Sequence, residues 1–348
     1  PADLGLLVCP TGATAAAMFT TNRIVSAAVQ VSREHLESRR IYGVVVNSGN
    51  ANACTGKKGL ANARQMCEVT AGYLAAAPQE VLVASTGIIG HQLPMEKVLS
   101  GITNAIPRLG DSPQAGLAFA KAIMTTDTRL KHAYREVKLG RTTVKIAGTV
   151  KGAGMIGPNM ATTLLFVTTD VALSKSLLQR ALREAIGGSL NRLTVDGHQS
   201  TNDTAILLAS GLAGNPRLTG PSGLYQKFLG ALADLCTDLV RQMALDAEGA
   251  TRMFKVVIKG AASKAEATKA ARAVADYPLF KCAVHGGDPN WGRIICAVGS
   301  SGVNLNPQKL ACKLDDLYVF RHGAPTDFKP KQAARIVSQR EHTITVDL

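Results

Sequence analysis

Residues 151–170 read KGAGMIGPNMATTLLFVTTD, a glycine-loosened turn that runs into a β-branched apolar stretch, with Ala161 and Thr162 at the junction. Gly152, Gly154 and Gly157 match the G-x-G-x-x-G dinucleotide pattern, but the context argues against that use. The pattern needs its last glycine inside the first turns of a helix, and here Pro158 and Asn159 follow at once. Thr162, Thr163, Val167, Thr168 and Thr169 crowd the backbone at Cβ, which suits a pleated strand. What the glycines offer is backbone able to adopt positive φ and bend tightly. A tight bend before a threonine is what self-cleavage requires, because the Thr162 hydroxyl must reach the carbonyl carbon of its own preceding peptide. The attack turns the amide between Ala161 and Thr162 into an ester, which water hydrolyses. The freed α-amine, with an ordinary pKa of about 7.7–8.0, then serves as base for the hydroxyl of its own residue. On pattern alone, Ala-Thr at a strand start is also a common and inert pair.

The rest of the chain sets limits on this reading. Its 348 residues suffice for two domains, or for one large domain with an appendage. A hydrophobic content of 46% is that of an ordinary folded core. No apolar run reaches the ~18–20 residues needed to span a bilayer. The start, PADLGLLVCPTGATAAAMF, has neither a basic region before its apolar stretch nor an initiating Met, so it reads as a trimmed or mature start rather than a signal peptide. Seven scattered cysteines without a C-x-x-C pair argue against a disulfide framework and a zinc site. They point to a reducing compartment, the cytoplasm, or the mitochondrial matrix in a eukaryote. The net charge of +14 raises nucleic acid as a partner, yet Lys and Arg are spread along the chain and aromatics make up only 4%. Single-strand binders need more stacking platforms than that. A basic surface also concentrates acidic small molecules, and the plainest reading is a solubilising charge.

Strands are expected over 4–8, 27–31, 41–46, 81–84, 162–169, 192–195 and 205–209, and a hairpin over 132–150 turning at Leu139-Gly140-Arg141. Helices are expected near 32–36 and over 60–74, 95–106, 113–124, 174–185 and 224–245. From Thr251 the pattern shifts to a strand at 253–258, a helix at 265–275 and the GGDPNWGR turn. A further helix or strand follows, then strands near 309–320 and 342–346. Strands mixed with helices throughout indicate layered α/β packing. The chain is expected to divide into a catalytic α/β domain over 1–250 and a smaller α+β domain over 251–348.

KGAGMIGPNMAT closely resembles the self-cleavage motif of the ornithine acetyltransferase family, the glutamate N-acetyltransferases of arginine biosynthesis. NSGNANACTG (47–56), ASTGIIG (84–90), MTTDT (124–128), VDG (195–197), STNDT (200–204), EGAT (248–251) and DPNWGR (288–293) occur in the family's order and approximate spacing. They cover nearly the whole chain. The resemblance implies an α/β (α+β) fold, a layered αββα sandwich with an internal N-terminal-Thr nucleophile, plus the small C-terminal α+β domain. It implies that Thr162 attacks the acetyl carbonyl of N-acetylornithine, and that glutamate then deacylates the ester in a ping-pong exchange. Thr86 and Gly87 match the family's oxyanion pair, a hydroxyl and a backbone N–H. Thr125, Lys151, Thr162 and Glu248 match its substrate contacts, and their types fit, since a cation suits a carboxylate and an anion suits an ammonium. The plainer readings are a strand-ending turn for Thr86 and Gly87, a loop-surface cation for Lys151 and a carboxylate just past a helix for Glu248. No metal or cofactor is implied, although some members take acetyl from acetyl-CoA. Cleavage would leave interwoven pieces, 1–161 and 162–348, expected as an α2β2 heterotetramer with neither nucleic acid nor membrane as a partner.

Asn50 and Asn52 are expected to brace their loop through Asx turns, and Ser200, Thr201 and Asp203 to satisfy a buried turn. Trp291 and Arg293 read as a structural turn or subunit contact in which the two side chains stack. His198 and His285 have no acid at motif spacing, so a Ser–His–Asp triad has no support. The chain departs from the family at His198-Gln199, usually Asp-Thr, at Ala247, usually Gly, and at Thr163, usually Met. Family members also continue past the position of Leu348 into a tail whose Asn and Thr help hold the substrate carboxylate. Two other readings stand beside the transferase. An N-terminal-nucleophile amidase or aminopeptidase of the same superfamily would use water in place of glutamate. A non-catalytic basic binding protein would keep an uncut chain and bind DNA with strong salt sensitivity.

Overall fold

The computed structural model describes residues 3–157 and 163–348, so Ala161 and Thr162 of the expected cleavage site lie outside the described residues. The chain forms two compact units, Pro1–Glu248 and Gly249–Leu348. The expected boundary was residue 250.

The first unit runs β1 (Leu4–Phe19), α1 (Ala27–His35), β2 (Ile41–Asn47), α2 (Gly56–Leu74), β3 (Val81–Ser85), α3 (Met95–Ala105) and α4 (Pro113–Ala122). It continues with β4 (His132–Leu139), β5 (Thr142–Lys151), β6 (Leu164–Thr169), α5 (Lys175–Gly188), β7 (Thr204–Ala209) and α6 (Gly223–Leu245). Its strands are hydrogen-bonded in the order β3-β2-β1-β7-β6-β5-β4. β1 serves two partners: Leu4 to Val8 pair with β2, and Thr14 to Phe19 pair with β7. Between the two stretches the register shifts, and Gly12 takes φ 69°. Pro10 cannot donate to a ladder and Gly12 tolerates the bend, so the strand turns a corner there.

Alternation along the strands then fixes the layers. Val45 of β2 and Val81 and Val83 of β3 pack with Met66, Cys67 and Ile102 of α2 and α3. Leu165 and Val167 of β6 and Leu207 of β7 pack with Leu178 and Leu182 of α5 and Leu232 and Leu239 of α6. The intervening residues of both halves meet in one cluster: Val44, Val46, Leu82 and Ala84 with Leu164, Phe166, Ile206 and Leu208. The sheet is therefore folded over at β1 into two layers face to face, with helices outside each. This is an αββα sandwich. Ala13, Ala15 and Ala17 lie in the same inter-sheet cluster, where the folded strand leaves room only for small side chains.

Residues 27–31, expected as a strand, open α1 instead. Ser26 Oγ accepts from Val29 N and caps the helix, and Ala27, Ala28 and Val31 face the core at helical spacing. Residues 192–195, also expected as a strand, follow a 3₁₀ turn at Leu190–Arg192, and Val195 N donates to Ile156 O at 2.8 Å. The helix expected at 174–185 is present as α5, capped by the Ser174 hydroxyl.

The second unit holds β8 (Met253–Lys259), α7 (Lys264–Ala275), α8 (Pro278–Gly286), α9 (Trp291–Gly299), β9 (Ala311–Leu314), β10 (Leu317–Arg321), β11 (Ala324–Pro325), α10 (Pro330–Val337) and β12 (Glu341–Asp347). Its sheet runs β11-β10-β9-β12-β8, with β12 parallel to β8. Val274, Phe280, Ile294 and Val337 from the helices close over Leu314, Val319 and Ile344. The GGDPNWGR turn leads into a helix. Trp291 stacks on Phe320, with centroids 5.4 Å apart, while Arg293 Nη1 donates to Leu279 O. The expected stacking of Arg293 on the tryptophan gives way to these two contacts. All seven cysteines are free thiols. Among the described residues no helix is long and apolar enough to cross a membrane.

Candidate active site

β2 and β3 run parallel and end level at Asn47 and Ser85. The loops that leave them are laced together: Thr86 N donates to Asn47 O at 3.0 Å, Ile88 N to Gly49 O at 3.2 Å and Ala51 N to Ile88 O at 2.9 Å. Gly87 sits between these bonds at φ 135°, and a Cβ there would come within 2.1 Å of Gly49 C. Only glycine meets both conditions. Asn50 Oδ1 accepts from Asn52 N at 2.8 Å, the expected Asx turn, and Asn50 Nδ2 donates to the carbonyls of His91 and Gln92. The result is a braced ledge that presents a hydroxyl and a backbone N–H at successive positions, the donor types that an oxyanion needs.

A second cluster surrounds Lys131. Its Nζ lies 2.6 Å from Asp127 Oδ1 and 2.6 Å from Asp246 Oδ2, with side chains only 1%, 0% and 5% exposed respectively. Each carboxylate is also a main-chain anchor. Asp127 accepts from Thr125 N at 3.0 Å and from Gly152 N at 2.7 Å. Asp246 accepts from Thr128 N at 3.0 Å, from the Thr128 hydroxyl and from Arg129 N at 3.3 Å. Two residues on from Asp246, Glu248 N donates to Ala153 O at 2.8 Å, and the Glu248 carboxylate accepts from the Thr126 hydroxyl. One buried cation thus ties together the segments that carry Thr125, Lys151 and Glu248. Burial pushes the Asp127 and Asp246 carboxyls up, but the Lys131 ammonium and the N–H donors outweigh it and hold both below the ordinary carboxylate range.

Residues 152–157 lie across this cluster as a loop, and β6 returns antiparallel to β5, so among the described residues no helix follows to receive a dinucleotide. Gly152 takes φ 150°, as expected of a bend. Gly154 and Gly157 serve close approach instead. A Cβ on Gly154 would lie 2.5 Å from the Glu248 carboxylate, and one on Gly157 would lie 2.5 Å from Gly197 C. Ile156 N donates to Asp196 Oδ2 at 3.1 Å, and the Ile156 carbonyl accepts from Val195, Asp196 and Gly197. His198 has an acid after all: its Nδ1 lies 3.2 Å from Asp196 Oδ1, with the imidazole 77% exposed. In the second unit His285 Nδ1 meets the Thr251 hydroxyl at 3.1 Å.

Lys151, at the end of β5, and Asp203, just before β7, are both buried. Burial pulls the Lys151 ammonium down to about 8, against the pull of Asp127 and Asp203. Burial likewise pushes the Asp203 carboxyl well above the ordinary range, although it accepts from Thr163 N at 2.9 Å and faces Lys151. Asp203 Oδ2 and the Thr163 hydroxyl have no hydrogen-bond partner among the described residues. The hydroxyl stands at a position where the resembled family has Met, which fits a site built for an apolar side chain. Thr86 and Gly87 thus stand on the braced loop after β3, and Thr125, Lys151 and Glu248 stand on segments anchored around Lys131, while Thr162 lies outside the described residues. Sequence reasoning missed Lys131, Asp246 and Asn202. The local signals were the STNDT motif that contains Asn202 and the i, i+4 spacing of Asp127 and Lys131.

The ArgJ family model matches residues 1–348. The arginine biosynthesis bifunctional protein ArgJ of Symbiobacterium thermophilum is 46% identical over 346 residues, covering 99% of this chain and 86% of its own. That of Geobacillus kaustophilus is 41% identical over 347 residues, covering 99% and 84%. The crystal structure of the Bacillus halodurans arginine biosynthesis bifunctional protein ArgJ aligns with a TM-score of 0.51 at 38% identity, over 53% of this chain and 86% of that one.

Proposed function

The chain belongs to the ArgJ family, and from that premise we propose that it transfers acetyl from N2-acetylornithine to glutamate through an acetyl ester on Thr162. The observation that carries the reading is that the peptide leading into Thr86 and Gly87 is held by Asn202, next to the Asp203 that holds Thr163 N, and that Lys151 pairs with Leu164 on the strand that follows residue 162. In this mechanism the chain first cuts itself between Ala161 and Thr162. The Thr162 hydroxyl then adds to the acetyl carbonyl and passes its proton to its own α-amine. The Thr86 hydroxyl and the Gly87 N–H hold the tetrahedral oxygen. Collapse breaks the C–N bond, the proton leaves with the ornithine amine, and an acetyl ester remains. The glutamate amine attacks that ester and restores the hydroxyl. Lys151 pairs with a substrate carboxylate, and Glu248 and Thr125 line the amino-acid end. An amide is exchanged for an amide, so the reaction is near balance and calls on no nucleotide or metal, and acetyl-CoA is an alternative acetyl donor. The two pieces are proposed to assemble as an α2β2 heterotetramer in the cytoplasm.

Purified protein given N2-acetylornithine and glutamate is expected to form N-acetylglutamate and ornithine one for one. Acetate release without N-acetylglutamate would identify the amidase instead. No turnover, together with salt-sensitive DNA binding, would identify the binding protein.

The lowered Lys151 adds a pH signature. Its charged fraction falls as pH rises through about 8, so KM for the amino-acid substrate is expected to climb about tenfold between pH 7 and 9. Over the same range kcat should rise, because the α-amine base loses its proton. Lys151→Met should raise KM at pH 7 and flatten its pH dependence. A KM that stays level from pH 7 to 9 in the wild type would remove Lys151 from carboxylate binding.

A further inference from the structure

Asn202 and Asp203 stand side by side at the entrance to β7, and both are buried, at 4% and 0% exposure. In extended backbone, successive side chains point to opposite sides, and these two do so to different ends. Asn202 Nδ2 donates to Ala51 O at 2.6 Å and to Ser85 O at 2.7 Å. The first carbonyl belongs to the 47–56 loop and the second to the peptide leading into Thr86. Asn202 Oδ1 accepts from the Thr201 hydroxyl at 2.6 Å, so the orientation of the amide is fixed: a flipped group would set its oxygen against two carbonyls. On the other side, Asp203 Oδ1 accepts from Thr163 N at 2.9 Å, and Thr204 N donates to Thr163 O at 2.9 Å.

The sheet order shows why such a joint is needed. β3, which delivers Thr86 and Gly87, is separated from β6, which follows residue 162, by β2, β1 and β7. The two strands belong to opposite layers of the folded sheet, so no ladder sets the spacing between their ends. We propose that Asn202 is a positioning residue that fixes the Thr86 and Gly87 donors relative to the strand carrying the nucleophile. It grips the donor loop with both amide protons while its neighbour grips Thr163. This rests on the acyl-transfer reading above. Oxyanion donors act over a narrow range of distance, and a shift of about 1 Å at a reacting centre costs about a hundredfold in rate.

The experiment compares Asn202→Asp, which keeps the shape and loses both donors, with Thr201→Val, which removes only the hydroxyl orienting the amide. Active sites are counted by the burst of acetyl-enzyme, so that poorly folded material drops out. Asn202→Asp is expected to lower kcat per site about a hundredfold, and Thr201→Val to lower it by less. KM for both substrates should stay within about twofold. Self-cleavage should slow in parallel, because that step also places negative charge on an oxygen next to residue 162. If either variant loses thermal stability but keeps wild-type kcat per site, or if the loss falls on KM, Asn202 is a structural brace and the proposal is wrong. If the wild type itself transfers no acetyl group, the acyl-transfer reading fails and not this inference alone.

Discussion

A Thr162→Ala chain is expected to remain whole at 36.5 kDa on a denaturing gel, and to transfer acetyl at about 10⁻⁴ of the wild-type rate or less. The wild-type protein should appear as two pieces meeting between Ala161 and Thr162. Alanine keeps the β-carbon and removes the one atom that both reactions use. Without Oγ there is no N-to-O shift at the Ala161 carbonyl, hence no ester for water to cut and no α-amine at residue 162. Without Oγ there is also no acetyl ester, and glutamate would have to attack an unactivated amide directly. Thr162→Ser retains the atom and should cleave and turn over at reduced rate. Intact mass and the transfer assay read both steps. A folded wild-type chain that stays in one piece, or a Thr162→Ala chain that still splits, would falsify the mechanism.

Lys131→Met should be the most destabilising substitution of a single polar residue in the first unit, costing about 3–5 kcal/mol. Methionine fills the space of the lysine stem but leaves Asp127 and Asp246 facing each other in a site where their side chains are 0% and 5% exposed. For a unit of this size the thermal midpoint should fall by roughly 10 °C. The pH dependence should also change sign. In the wild type both carboxyls are held below their unfolded values, so their contribution is present above about pH 4 and lost as pH falls through the lowered values. In the variant the crowded pair favours sharing a proton, so its folded pKa is raised and stability is lost as pH rises above about 4. Adding Asp246→Asn should recover part of the loss at neutral pH. Thermal melts from pH 4 to 8 decide the matter: a Lys131→Met midpoint within a degree of wild type would mean that the cluster is wet and the pairing contributes little.

Much of the layered fold was legible because its strands are short apolar runs bounded by glycine-rich polar loops. Residues 41–46, 81–84 and 205–209 all lie in buried strands. The second half of β1 was not legible. Residues 13–17, ATAAA, have weak strand propensity, and they form a strand because the inter-sheet layer admits only small side chains there. The α1 segment failed for the opposite reason, a run too short for periodicity to separate helix from strand, in which the Ser26 cap decides. At the site, Thr86, Gly87, Glu248 and Asn202 stand in motifs, whereas Lys131 and Asp246 do not, and the contacts of Asn202, Lys131 and Asp246 are ones that no local pattern records. Lys131 and Asp246 are 115 residues apart in sequence, and their pairing exists only once α6 has packed on β4 and β5. Asn202 is likewise distant from its partners Ala51 and Ser85, which precede it by 151 and 117 residues.

The strand order places a constraint on timing. In the order β3-β2-β1-β7-β6-β5-β4, a cut after residue 161 assigns the central pair, β7 and β6, to the later piece and every strand on either side to the earlier one. The later piece made alone would expose both long margins of that pair as rows of unmatched N–H and C=O groups, flanked by Leu165, Phe166 and Leu207, an open invitation to aggregation. The earlier piece alone would have a gap two strands wide between β1 and β5. Neither would be a folding unit, so a bond that is to be cut there would have to outlast folding. Under the proposed cleavage the strand order would then act as a checkpoint, since only a chain whose sheet is already assembled would be cut.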